Sequence, residues 1–169
     1  TTTVHLSELV ARPRPLSACS LLVLPGGFSF GDELGSGRVL ALKLRYQIGW
    51  DLPRFALEGG LVLGICNGFQ ALVSLGAFGP DVALAPNPDG RFRNEWVRLE
   101  VDPSARSESP FLKGLGALEL PIRHGEGRLL FSGPSSPPGR RPALRYSKNP
   151  NGSADSIAGL SDPTGRILG

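Results

Sequence analysis

The sequence has 169 residues, of which 40% are hydrophobic and 20% charged, and its formal net charge is +3. This length suits one domain with a single apolar core, and the ordinary charge fraction argues against a disordered chain. Two cysteines and two histidines are too few for a disulfide scaffold, a four-cysteine zinc site or a histidine-rich metal site. We therefore expect no metal centre.

The distribution of charged and apolar residues argues against nucleic acid and membranes as partners. The arginines are spread along the whole chain instead of being clustered with aromatic residues. The longest apolar runs, such as Leu21–Leu24 and Leu61–Leu63, are far shorter than a membrane span, and no secretory signal opens the chain. The expected location is the cytoplasm.

Two apolar runs in the first half are typical of buried parallel strands. Leu21–Leu24 ends at Pro25-Gly26-Gly27, and Leu61–Ile65 ends just before Cys66. Cys19, before the first run, is expected to be a small buried residue. Three helices are predicted in the same half, over Val39–Gln47, from Pro53 and over Phe69–Leu75. This alternation predicts an α/β fold with three layers, in which helices flank a mostly parallel central sheet.

The second half has the patterns of shorter, partly exposed strands. Alternation with period two predicts a strand at Trp96–Val101, and Leu118–Arg123 and Leu129–Phe131 are further candidates. Residues 132–142 are rich in Gly, Pro and Ser and predict a loop. A turn signature at residues 161–165 predicts a hairpin between Ile157–Leu160 and Arg166–Leu168.

The segment Gly64-Ile65-Cys66-Asn67-Gly68 has the pattern of a nucleophile elbow. It follows a predicted strand and precedes a predicted helix, and glycine stands two residues before and two residues after Cys66. Bulky side chains at those positions would clash in so sharp a turn. The thiol would lie at a helix N-terminus, where thiolate is favoured, and the Asn67 amide would face a developing oxyanion. The alternative is a buried cysteine at a strand end.

Two other segments could contribute to the same chemistry. The loop from Pro25 to Asp32 has glycines that leave backbone amides open, and we interpret it as a second oxyanion donor or as a plain turn. The segment Arg123–Arg128 contains His124 and Glu126, so the spacing suggests a triad with Cys66. The alternative is a glycine-rich loop that shapes a pocket with its backbone.

Four ordered motifs resemble the glutaminase subunit, or domain, of phosphoribosylformylglycinamidine synthase, a flavodoxin-like class I glutamine amidotransferase. They are Pro-Gly-Gly-Phe-Ser-Phe-Gly-Asp, Leu-Gly-Ile-Cys-Asn-Gly-Phe-Gln, Arg-His-Gly-Glu-Gly and Asn-Gly-Ser-Ala-Asp-Ser-Ile-Ala-Gly-Leu. The similarity extends from about Leu21 to Gly169. It implies that residues 1–169 are a single amidotransferase domain.

The resemblance implies a role for each matching residue. Cys66 is similar to the nucleophile that forms a glutamyl thioester and releases ammonia, and Gln70 to a residue that helps to hold glutamine. Gly27 and Asn67 match the oxyanion hole, to which we add Gly26 and Phe28 as neighbouring candidates. The segment His124-Gly125-Glu126 resembles the strip that contacts the α-amino and carboxylate end of glutamine.

The family's catalytic His and Glu come from a Pro-His-Pro-Glu motif expected just after Gly169, and its first strand and helix are expected ahead of Thr1. Since the sequence also lacks Met, we interpret both ends as cut. The 169-residue chain alone is then expected to have little glutaminase activity. The alternatives are a catalytically incomplete domain that binds a partner or metabolite, and another thiol hydrolase.

The resemblance also implies partners and cofactors. The ammonia would pass to a synthetase subunit or domain, and a small accessory subunit is a further candidate partner. No cofactor is expected in this chain, because ATP and Mg²⁺ would be used by the synthetase.

Overall fold

The computed structural model describes residues 1–32, 34–133 and 139–169, and these residues form two sheets and five α-helices. The helices are α1 (Leu6–Ala11), α2 (Arg38–Leu42), α3 (Leu52–Leu57), α4 (Asn67–Leu75) and α5 (Pro103–Glu108). The strands are β1 (Leu21–Leu24), β2 (Leu61–Gly64), β3 (Val82–Pro86), β4 (Arg93–Val101), β5 (Ala117–His124), β6 (Glu126–Phe131), β7 (Arg141–Tyr146), β8 (Ile157–Ser161) and β9 (Ile167–Leu168). Short helical turns of other pitch lie at Leu16–Ala18, Ser29–Asp32, Lys43–Ile48 and Ala154–Ser156.

The larger sheet has seven strands in the order β1-β2-β9-β8-β7-β4-β5. Parallel pairing joins β1 to β2 and β2 to β9, whereas the pairings from β9 to β5 are antiparallel. Strands β3 and β6 form a separate antiparallel sheet. The predicted α/β class, with helices flanking a central sheet, is confirmed. The parallel strands are those that carry the loop after β1 and the predicted elbow after β2.

Helices lie on both faces of the sheet at β2 and β9, as the three-layer prediction requires. The larger core cluster joins β1, β2 and β9 to α3 and α4 through Leu24, Val62, Ile167, Phe55 and Leu72. On the opposite face, Leu168 belongs to a second cluster with Ala105 of α5. The carboxyl ends of β1 and β2 are thereby held side by side, where α/β sheets commonly place ligands.

The prediction that Leu21–Leu24 is a fully buried strand is wrong. In the described part of the chain β1 pairs with β2 alone, and Leu21 and Val23 are 47% and 44% exposed. The run is apolar along its whole length, but it is the face of β1 with Leu22 and Leu24 that packs into the larger core cluster. Cys19 is also exposed, and its Sγ donates a hydrogen bond to the Leu16 carbonyl.

The hairpin predicted near the end of the chain is present. Ser161 of β8 lies opposite Leu168 of β9, and the Asp162 carboxylate accepts hydrogen bonds from the amides of Arg166 and Ile167 at 2.9 and 2.8 Å. The predicted loop 132–142 is wrong at its end, because β7 begins at Arg141. Residues 134–138 of that loop lie outside the described residues.

The predicted helix Val39–Gln47 begins as α2 and continues through a wider turn, Lys43–Ile48. The Gly49 amide donates to the Leu44 carbonyl five residues earlier, which is the spacing of a π-type helix. None of the helices in the described residues has the length and apolar character needed to cross a bilayer.

Candidate active site

The turn from β2 into α4 forms the centre of the candidate site. Cys66 occupies it with φ 53° and ψ −108°, a left-handed backbone that residues other than glycine rarely adopt. A side chain at Gly64 would lie 2.9 Å from the backbone of Gly68, and one at Gly68 would collide with the Leu24 carbonyl. The elbow is therefore present, and both flanking positions need glycine for the predicted steric reason.

The loop after β1 lies directly against the elbow. A Cβ atom at Gly26 would be 3.3 Å from the Cβ of Cys66. Gly27 has φ 135°, which favours glycine, and none of the described residues accepts a hydrogen bond from its amide. The Asn67 side chain ties this loop to the elbow, since its Oδ1 accepts a hydrogen bond from the Ser29 amide at 3.3 Å. The loop thus lies where oxyanion donors are expected, although that role stays a prediction.

Phe28, the third residue predicted in this loop, lies at the surface. Its side chain is 57% exposed, and its ring packs against Phe92 with the ring centroids 6.0 Å apart. Phe92 precedes β4, so this aromatic pair connects the loop after β1 to the start of β4. A contact of Phe28 with substrate stays a prediction.

A third segment approaches the thiol from the opposite edge of the larger sheet. Residues Arg123–Gly127, which we call the crossover strip, connect β5 with β6. The Sγ atom of Cys66 donates to the Arg123 carbonyl, with 3.6 Å between sulfur and oxygen. Because a backbone carbonyl carries partial negative charge, this contact suits the neutral thiol and must be given up when the thiol ionises.

Gln70 connects the elbow to the crossover strip through both ends of its side-chain amide. Its Nε2 donates to the Glu126 carbonyl at 2.6 Å, and its Oε1 accepts from the Nδ2 of Asn67 at 3.0 Å. Gln70 is buried on the first turns of α4. The structure therefore brings together Cys66, Asn67, Gln70 and Glu126, as the resemblance implies. A direct contact of Gln70 with glutamine stays a prediction.

His124 does not form the triad that its spacing suggests. Its side chain is buried, and within the described part of the chain neither ring nitrogen has a hydrogen-bond partner, so it bonds neither the Cys66 thiol nor the Glu126 carboxylate. The ring packs tightly against Gly127, where a Cβ atom would have no room. Burial lowers the pKa of His124, and the positive charge of Arg93 lowers it further.

The other histidine, His5, makes its hydrogen bonds at the start of α1. His5 is the N-cap of α1, where its Nδ1 accepts a hydrogen bond from the Ser7 amide at 3.3 Å. Neither imidazole in the described chain is therefore placed to take a proton from Cys66. A glycine-rich segment that shapes the site with its backbone, the second interpretation of the His124 motif, describes the geometry better.

Two asparagines that the sequence analysis did not assign to the site hold the crossover strip. Asn87 donates to the His124 carbonyl at 3.0 Å, and Asn151 donates to the Gly127 carbonyl at 2.9 Å. Asn87 lies in the sequence Pro-Asn-Pro-Asp-Gly, which is a turn signal. That signal predicts a loop, but it does not predict which carbonyls the asparagine contacts.

Comparison with known proteins places this geometry in a family. Residues 1–169 match the CobB/CobQ-like glutamine amidotransferase domain. The chain belongs to this glutamine amidotransferase family. Its relatives include phosphoribosylformylglycinamidine synthase subunit PurQ of Dehalococcoides mccartyi, which is 41% identical over 98% of this chain and 70% of the relative. The PurQ subunit of Methanococcus maripaludis is 36% identical over 98% of this chain and 68% of the relative.

Solved structures agree with the family assignment. A chain in the structure of PurLQS from Thermotoga maritima has a TM-score of 0.76 and 35% identity, covering 92% of this chain and 69% of the other. A second glutamine amidotransferase from Thermotoga maritima shares the fold, with a TM-score of 0.54, 20% identity and coverage of 92% and 56%. The resemblance predicted from the four motifs is confirmed.

Proposed function

We propose that this chain is the glutaminase component of a phosphoribosylformylglycinamidine synthase. It hydrolyses glutamine through a thioester on Cys66 and supplies ammonia to a synthetase that makes phosphoribosylformylglycinamidine in purine biosynthesis. The observation that carries the proposal is the Cys66 elbow, with its left-handed backbone and the Gly26–Gly27 loop against it. The named relatives support the same activity.

The first half-reaction follows from the chemistry of the elbow. Deprotonated Cys66 Sγ attacks the side-chain carbonyl carbon of glutamine, and negative charge moves onto the carbonyl oxygen. The amides of Gly27 and Asn67 are proposed to stabilise that oxygen, as backbone donors do in other oxyanion holes. The carbon–nitrogen bond then breaks, the nitrogen takes up a proton, and ammonia leaves behind a glutamyl thioester.

The second half-reaction returns the enzyme to its starting state. Water adds to the thioester carbon, the carbon–sulfur bond breaks, and glutamate and the Cys66 thiol are formed. The crossover strip is proposed to hold the α-amino and α-carboxylate end of glutamine during both steps. This proposal is supported by the contact between Cys66 and the Arg123 carbonyl, which places the strip beside the reacting sulfur.

The general base is proposed to come from outside residues 1–169, because His124 and His5 have other environments. A general base typically contributes about 10²–10⁴-fold to the rate. Glutamate release by residues 1–169 alone should therefore be slower by roughly that factor than release by a version extended past Gly169. Equal rates would show that His124 acts as the base.

A synthetase partner is supported by the similarity to a chain of the PurLQS structure. ATP and Mg²⁺ are proposed to act in that partner, with no cofactor in this chain, and a small accessory subunit is a further proposed partner. The cytoplasmic location stays a prediction from the sequence. The alternatives, a binding module and another thiol hydrolase, are not favoured, because the elbow is intact and the relatives are PurQ subunits.

Labelling with a diazoketone analogue of glutamine tests the proposal in the complete enzyme. Cys66 and Cys19 are both exposed, so Cys19 is an internal control for thiol reactivity. The analogue should label Cys66 alone, and glutamine should protect it, whereas iodoacetamide should modify both cysteines. Cys66→Ser should abolish glutamate release and Cys19→Ser should not. Equal labelling of both cysteines, or none, would reject the proposed function.

A further inference from the structure

The backbone carbonyls of the crossover strip are all engaged by groups from other parts of the chain. Five consecutive carbonyls accept hydrogen bonds from the Cys66 thiol, the Asn87 side chain, the Asn87 amide, the Gln70 side chain and the Asn151 side chain, in the order Arg123, His124, Gly125, Glu126 and Gly127. The position of the strip is therefore set by side chains, and not by sheet pairing alone. Asn87 accounts for the second and third of these bonds.

Asn87 donates three hydrogen bonds, and two of them go to the strip. Its Nδ2 donates to the carbonyls of His124 at 3.0 Å and Arg91 at 2.7 Å, and its amide donates to the Gly125 carbonyl at 2.9 Å. Both side-chain partners are carbonyl oxygens, which only accept hydrogen bonds. An aspartate at this position could not make these bonds when ionised. The two side-chain hydrogen bonds therefore require the NH₂ group of Asn87, and a side chain of the same shape without that group is not sufficient.

The surroundings of Asn87 are unfavourable for stability. The residue is 2% exposed, and its Oδ1 atom has no hydrogen-bond partner among the described residues. The ring nitrogens of His124 and the Nε of Arg93, opposite each other on β5 and β4, are likewise buried without partners. Unpartnered buried polar atoms destabilise a fold, and they call for an explanation other than stability.

We propose that Asn87 is a positioning residue for the substrate glutamine. Its side-chain amide bonds to the His124 carbonyl, and its backbone amide bonds to the Gly125 carbonyl. These two bonds fix the strip, and with it the position of the Arg123 carbonyl beside Cys66 and of the Glu126 carbonyl beside Gln70. Asn87 acts through the strip and touches no reacting atom. The inference rests on the proposed function, since it assumes that the strip holds glutamine beside Cys66.

The test compares two alkylating reagents on Cys66 in the complete enzyme. The rate of labelling is measured against the concentration of the diazoketone analogue, which needs the glutamine site, and against iodoacetamide, which needs only an accessible thiol. In Asn87→Ala the analogue concentration that gives the half-maximal rate should rise about tenfold, the effect of one lost hydrogen bond with an unpaired partner. The maximal rate and the iodoacetamide rate should stay unchanged.

Two further variants keep the test decisive. Asn87→Asp keeps the shape and the backbone bond, so it should raise the half-maximal concentration at least as much and replaces Asn87→Ala if that variant does not fold. Gln47→Ala, at an exposed side-chain amide in the helical turn Lys43–Ile48, is the matched control and should behave like the wild type.

Three results would overturn the inference. An unchanged half-maximal concentration in both Asn87 variants shows that Asn87 does not position the substrate. An equal fall in the rates with both reagents shows a general loss of structure instead. Failure of the analogue to label wild-type Cys66 rejects the proposed function itself, and the inference with it, so the two failures are distinguishable.

Discussion

Gly68, in the first turn of α4, lies so close to the carbonyl group of Leu24 at the end of β1 that a Cβ atom has no room between them. This approach brings the N-terminus of α4 down onto the parallel strands. Cys66 is consequently raised at the turn, with its side chain exposed beside the loop after β1. The elbow is therefore a property of the packing between two strands and a helix, and not of its own five residues alone.

Gly68→Ala should disrupt this packing. The added methyl group meets backbone atoms that cannot rotate away, so we expect destabilisation of about 1–3 kcal/mol or more. Urea unfolding at pH 7 measures the change, and iodoacetamide labelling of Cys66 reports on the elbow. Gly116→Ala is the control, because a Cβ atom there has 3.9 Å to its nearest neighbour, the Arg106 side chain. Equal stability of both variants would contradict the steric argument.

Replacing the Gln70 side chain should lower the rate at which glutamine analogues label Cys66. Its effect on the stability of α4 should be smaller. Gln70→Met keeps the approximate shape but removes the hydrogen bonds to the Glu126 carbonyl and to the Nδ2 of Asn67. We expect roughly a tenfold loss of labelling rate by the diazoketone analogue at low concentration. The control is Gln47→Met, since Gln47 is exposed and its Oε1 accepts only from Lys43. A wild-type rate in Gln70→Met would show that this link does not shape the site.

The pairing of Asp81 with Arg140 should make stability depend on acidic pH. The buried Arg140 guanidinium donates to both carboxylate oxygens of Asp81, at 2.6 and 3.0 Å, and this hydrogen bonding lowers the pKa of Asp81. A carboxylate whose pKa is lower in the folded state contributes stability above its unfolded pKa, near 4, and loses it as the pH falls further. Urea unfolding between pH 6 and about pH 3 should show this loss.

Asp81→Asn should reduce that acid dependence while lowering stability at neutral pH, because the buried guanidinium loses its counter-charge. Glu119→Gln is the control, since Glu119 is 74% exposed and lies 4.0 Å from Arg98. If Asp81→Asn retains the full acid dependence of the wild type, other carboxylates are responsible for it.

Local steric and turn patterns predicted the parts of the site that depend on nearby residues. Gly64, Cys66 and Gly68 are close in the chain, so the sequence alone indicates the elbow, and the Asp162 turn is likewise local. The exposure of Leu21 and Val23 depends on what packs against their face of the sheet, and a four-residue apolar run does not contain that information. The roles of Gln70 and of the His124–Glu126 segment in holding glutamine came from the resemblance, not from their pattern.

The contacts of the crossover strip could not be predicted from the sequence, because they join residues far apart in the chain. Gln70 and Glu126 are separated by 56 positions, and Asn87 and His124 by 37. The motif suggested a catalytic triad because His124 and Glu126 are two residues apart. In the structure the backbone of this segment faces the elbow, while the His124 ring is buried against Gly127. Which groups face the site depends on the path of β5.

His124 should make stability fall as the solution is acidified through neutral pH. Its pKa is lower in the folded protein than the ordinary value of 6.5, chiefly because burial disfavours the charged ring. The unfolded chain therefore binds a proton first, and the stabilisation present above pH 6.5 is lost as the pH falls towards the folded pKa.

His124→Phe keeps a ring against Gly127 but removes the titrating group. Its free energy of unfolding should vary less between about pH 7 and pH 5. At pH 7 this variant should be as stable as the wild type or more so, by about 1 kcal/mol, because two unpartnered buried nitrogens are removed. His5→Gln, at the exposed cap of α1, is the matched control and should leave the dependence unchanged. A His124→Phe variant with the pH dependence of the wild type would show that the buried ring is not its source.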